Sequence, residues 1–379
     1  MTYRRAVIPA LLGGVLLTAL LWWAGESLQA LRLQGATDAI GGRAAAELER
    51  WLIPWSYEPP AGAWAGVDAP GGPAGGDGAR YLALHGTALR IRFAAVFAFF
   101  LPGALLLIRG LPPVHGRMPA TLLAVWTWGI VAGTLAVTVS APWLIASYGH
   151  GSYRFLPRLA SAIAAGRQIL VVTALAAAAV AVLAARITAK GAGPLPRESV
   201  PARAARSAAT AGTAVIALSL VVLSYQPVAA AIQTASPGSG PLAEPGDLLR
   251  QWLLLGAWSD PGGSDTGAWL LYRAADALLL VVVWWALRSL PGLLTRATVP
   301  AMAAGAVCAT VLGLLAGQLL RAAATDGMGA HGGLPQLFAA LGDGVPAALT
   351  CGLLAGIAAA VTLRAACRGS GPATGPRAP

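Results

Sequence analysis

The chain contains repeated apolar runs close to the ~20 residues a helix needs to cross a ~30 Å hydrocarbon layer, and no soluble fold accommodates them. Bounded by Arg, Pro or Gly, the runs fall near 6–24, 91–109, 120–141, 168–186, 207–227, 269–288, 298–320 and 345–363. With 57% hydrophobic and 11% charged residues, the composition sits far from the roughly 25% charged residues of soluble proteins. The expected fold is all-α: a polytopic integral membrane protein of eight transmembrane helices.

The 26 basic and 15 acidic residues are distributed by membrane side. With the N-terminus in the cytoplasm, the segments on that side hold Arg4, Arg5, Arg109, Arg117, Arg186, Lys190 and the arginines of the later turns and tail. Glu198 is the single acid among them. Cationic short loops identify the cytoplasmic face, so both termini are expected inside a cell membrane, with the lipid bilayer as partner and no nucleic acid. Arg4 and Arg5 precede a long apolar run ending in Trp22 and Trp23, which reads as an uncleaved anchor. Most other tryptophans, among them Trp51, Trp55, Trp143 and Trp269, fall at outer span ends as an aromatic belt.

The order of short segments repeats. Leu48 to Leu52 resembles Leu249 to Leu253, Gly78 to Gly103 aligns without a gap on Gly267 to Gly292, and Leu156 to Leu159 matches Leu334 to Leu337. The separations shrink from 201 to 189 to 178 without reversing, as loop-length differences between tandem copies would produce. The chain then divides into a first four-helix half at 1–186, with a long outer loop at 25–90, and a second at 207–366. A Pro/Gly/Arg-rich cytoplasmic linker at 187–206 joins them, and a tail follows at 367–379. Arg90 and Arg92 fall opposite Leu279 and Val281 in this alignment, which puts the apolar windows of spans two and six out of step.

Outside the spans, residues 37–55 carry apolar positions at helical spacing and are expected to form an amphipathic helix on the outer leaflet. His150 and His331 occupy similar outer loops of the two halves and form a candidate outer-face pair. Three scattered cysteines, with no CxxC or HExxH pattern among the four histidines, imply neither a disulfide framework nor a metal site.

Ionisable groups within lipid mark ion paths or catalytic centres, and the spans offer almost none, Arg273 and Asp276 near the outer end of span six pairing with each other. The candidate polar path is Tyr225 and Gln226 before Pro227, Gln318 in span seven and Thr134 in span three. Small residues four apart allow close helix contact: Gly129 and Gly133, Gly313 and Gly317, Gly352 and Gly356. Spans three, seven and eight are therefore expected at the tight centre.

These features suit a transport-type, permease-like subunit for a hydrophobic or amphipathic solute. It would be energised by a separate ATPase or another membrane-protein subunit, because the chain has no nucleotide-binding glycine loop. The alternative is a non-catalytic scaffold or assembly partner. In topology the chain also resembles haem A synthases, which have eight spans in two four-helix halves and paired haem-ligating histidines at span ends. Of that pattern it offers His85 alone, with no histidine in spans four and eight and no cysteine pair in the first outer loop, so haem is not implied. No cofactor and no catalytic residue is expected.

Overall fold

The computed structural model describes residues 3–31, 35, 41–58, 76–113, 116–147, 162, 166–189, 200–224, 266–325, 341–342 and 344–369. All secondary structure among them is helical. Eight of these helices are long and apolar enough to cross a membrane, and the chain is a multi-pass membrane protein. In chain order they are α1 (Tyr3–Glu26), α2 (Gly76–Gly110), α3 (Met118–Ala146), α4 (Arg167–Thr188), α5 (Ala202–Ser224), α6 (Thr266–Leu293), α7 (Val299–Thr325) and α8 (Val345–Gly369).

The second helix departs from the sequence expectation. It begins at Gly76, not near 91, and shortens the preceding loop by the same amount. Residues 80–90 contain no proline, one β-branched side chain and one glycine, Gly86, so little in them opposes a helix. Their Arg, His and Thr lower the hydropathy that marks a span. The longer helix brings His85, Arg90 and Arg92 inside it. It also starts within one residue of α6 in the 189-residue register, and Pro102 of α2 and Pro291 of α6 then occupy equivalent interior positions.

Helix contacts close into two rings. In one, α1 packs on α2, α2 on α3, α3 on α4 and α4 on α1; in the other, α5, α6, α7 and α8 repeat the same cycle. The rings meet through α3 and α7, supported by α2 against α7 and α3 against α8. Of the eight, α7 is the most enclosed.

Glycines set the spacing inside each ring. A Cβ on Gly129 would lie 2.9 Å from the Ala174 methyl, and one on Gly133 would overlap Leu170, both on α4. On α7, Gly313 and Gly317 would place a Cβ 3.0 and 3.2 Å from the Leu279 and Ala275 carbonyls of α6. On α8, Gly352 and Gly356 abut Val307 and Ala303 of α7. Without Cβ atoms the backbones approach and dispersion contacts replace the hydrophobic drive that lipid cannot supply.

The amphipathic element between α1 and α2 is a helix at Gly42–Leu52 followed by a 3₁₀ turn at Ile53–Trp55. Its apolar stripe faces protein, not the lipid surface expected from the sequence: Ala45, Leu52 and Trp55 are all buried, and the segment packs on α1 and α4.

Candidate functional site

Two residues of the expected polar path, Gln318 and Thr134, are described, and each is engaged within the protein. Gln318 is buried, and its Oε1 accepts the backbone N–H of Gly342 at 3.0 Å, tying α7 to the approach of α8. Thr134 donates to the Ile130 carbonyl one turn back at 2.9 Å, a bond internal to α3 that exposes no polar edge. Tyr225, Gln226, His150 and His331 lie outside the described residues.

The structure instead opens a crevice of about 390 Å³ at the seam between the rings, walled by the first turns of α3, the last turns of α6 and the middle of α7. Leu123 and Ala124 of α3, Trp285 and Ala286 of α6 and Ala309 of α7 line it. Arg117 and Ser289 bring its polar atoms to one end. Arg117 is almost fully buried and donates to the carbonyls of Leu293 at 2.8 Å and Gly292 at 3.3 Å, so its charge caps the last turn of α6. Cys308 of α7 bridges the seam with its thiol 3.3 Å from the Ala124 carbonyl. The result is a greasy slot with a cation at its rim.

At the other end of the first ring lies a polar cluster that sequence reading missed because Arg92 was placed at the start of its span. Arg92 is 1% exposed. Its Nε donates to Ser140 Oγ at 2.9 Å, Nη1 donates to the Pro54 carbonyl, and the guanidinium lies 5.7 Å from the Trp55 ring centre. Trp55 in turn donates from Nε1 to the Gly166 carbonyl at 2.9 Å. Gly166 has φ +70°, and a Cβ there would press on Trp55 and Pro54. His85, two turns before Arg92, is 6% exposed, and its Nε2 has no hydrogen-bond partner among the described residues. These bonds pin the segment at 42–55 into the ring, which is why Trp55 is inside the protein. The second ring has Ala274 and Val281 at the aligned positions, and holds instead the Arg273–Asp276 ion pair, 3.1 Å apart, with Arg321 5.0 Å from the Tyr272 ring.

Among the described residues no three His, Cys, Asp or Glu side chains gather in a group able to hold a metal ion. Comparison of the chain with protein-family models, curated proteins and solved structures returns no match.

Proposed function

We propose that the protein is a transport-type membrane subunit for a hydrophobic or amphipathic solute, with the seam crevice as the place where that solute sits. The crevice itself carries the reading. Its volume of about 390 Å³ falls in the ~300–1,000 Å³ range of small-molecule sites, its walls are apolar, and Arg117 sets a positive charge at one end. It lies between two sets of helices, where rocking of one against the other would open or close it. Energy would come from a partner chain such as a separate ATPase.

The two rings are proposed to be tandem copies related by an axis along the membrane normal. Their identical cyclic order supports this. So do Gly166 and Gly344, both with positive φ immediately before α4 and α8, which stand 178 residues apart like the Leu156 and Leu334 motifs. Gly110 and Thr295, from equivalent turns, bond to each other across the seam at 2.9 Å. Arginines cluster at the bundle end shared by α1's start and α8's finish, which supports a cytoplasmic placement of both termini.

Fluorescent fatty acids and lysolipids added to the protein in nanodiscs test the function. Leu123→Trp should fill the slot and abolish saturable binding while leaving thermal stability near wild type. The scaffold reading is favoured by one observation, the engagement of Gln318 and Thr134 in hydrogen bonds within the protein. It would replace the first if binding were absent in the wild type and cross-linking captured one constant partner.

A further inference from the structure

We infer a second binding site, independent of the seam: the groove between α1 and α2 takes one phospholipid whose headgroup carries a primary ammonium, its phosphate at Arg90 and its ammonium at Glu26. Val15, Thr18, Ala19 and Trp22 recur at three- and four-residue steps along α1 and form one wall. Phe93, Ala94 and Phe97 of α2 form the other, and the space between is about 600 Å³. Thr18 spends its hydroxyl on the Gly14 carbonyl at 2.9 Å, leaving its methyl to the groove. A Cβ on Gly14 would come within 3.1 Å of the Phe97 ring, so the two helices touch beside the groove. Tyr57 stacks on Phe93 with ring centres 5.7 Å apart and closes the upper end.

Both stripes end in a charge on that same side. Arg90 precedes Phe93 by three residues and Ala94 by four, and Glu26 follows Trp22 by four. Both act electrostatically on the Tyr57 hydroxyl, so a cation and an anion flank one phenol at the mouth of an acyl-sized slot. Trp22, half exposed, marks the depth at which headgroups begin. A phosphate is matched by the guanidinium and an ammonium by the carboxylate. A headgroup with net negative charge would meet Glu26 as a like charge, and a choline headgroup would bring no N–H for Glu26 or Tyr57 to accept. The ammonium lipid, of the phosphatidylethanolamine type, satisfies all three groups.

The intact chain in detergent, given phosphatidylethanolamine, phosphatidylcholine or phosphatidylglycerol separately, is read by native mass spectrometry for retained lipid. The ethanolamine lipid should be held preferentially. Arg90→Ala and Glu26→Gln should each weaken it by about fivefold, the effect of one headgroup charge near the surface, and Glu26→Gln should narrow its lead over the glycerol lipid. Ethanolamine lipid brominated on its acyl chain should quench tryptophan fluorescence in the wild type, and less in Trp22→Phe. Equal retention of the three lipids, unchanged retention in both charge variants, or equal quenching in Trp22→Phe overturns the assignment.

Discussion

Arg117, in the turn between α2 and α3, donates from Nη1 to the carbonyl of Leu293 at the end of α6, 2.8 Å away. The return bond runs from the Thr295 backbone N–H to the Gly110 carbonyl at the end of α2, at 2.9 Å. Each helix end in this pair has an orphan carbonyl satisfied by the turn of the opposite ring. Arg117→Ala should lower the melting temperature in detergent, at a cost of about 1–3 kcal/mol for unpaired buried acceptors, with Arg117→Lys recovering part of it. A melting curve indistinguishable from wild type would show that the seam is held elsewhere.

The glycine contacts make a paired prediction. Gly356→Leu drives a side chain into Ala303 and Met302 of α7 and should destabilise by about 1–3 kcal/mol or more through overpacking. Gly86→Ala on α2 meets nothing within 4 Å and should be neutral or stabilise by up to about 1 kcal/mol through helix propensity. Thermal denaturation of both variants in one detergent separates packing from propensity.

Arg92→Met keeps most of the side-chain volume but removes the donors that hold Ser140 and Pro54. The loss should be about 1–3 kcal/mol. Because Pro54 and Trp55 belong to the segment that follows the helix at Gly42–Leu52, hydrogen exchange measured by mass spectrometry should rise over residues 42–57. Unchanged exchange there would refute the pinning role.

Burial raises the Tyr57 phenol above its ordinary value of 10.0, Arg90 pulls it down and Glu26 pushes it up again. The folded state therefore holds this proton more tightly than the unfolded chain. The stability linked to it is complete below about pH 10 and is lost as pH rises through the higher folded value. Melting temperature plotted against pH should fall more steeply on the alkaline side for wild type than for Tyr57→Phe; parallel curves would contradict this.

The proposed orientation puts Cys367 in the cytoplasm. Cys367 is exposed at the end of α8, whereas Cys308 and Cys351 are buried. A membrane-impermeant maleimide should label one thiol per chain in inverted vesicles and none in intact cells. Labelling from outside would invert the topology.

Apolar run length was enough to read eight spans from the chain alone, because crossing hydrocarbon is a local requirement that each segment meets by itself. The small-residue pairs were legible for a similar reason: four-residue spacing puts Gly313 and Gly317 on one helix face whatever lies opposite. The start of α2 was not legible. Arg90 and Arg92 argue against a span when counted singly, and the Pro54 carbonyl, Ser140 and Trp55, brought from other elements, compensate the buried Arg92. Gln318 was visible as a polar residue but not as one engaged by Gly342, since a hydrogen bond across a loop has no sequence period.

The chain's own sequence determined that it dissolves in lipid, how many times it crosses, and which faces can approach closely, since hydropathy and side-chain size act residue by residue. Tertiary structure alone decided that Trp55 turns inward, and that the space left between α3, α6 and α7 is an apolar slot beside Arg117. Those outcomes depend on which distant groups satisfy one another's polar atoms, a pairing that no single segment encodes.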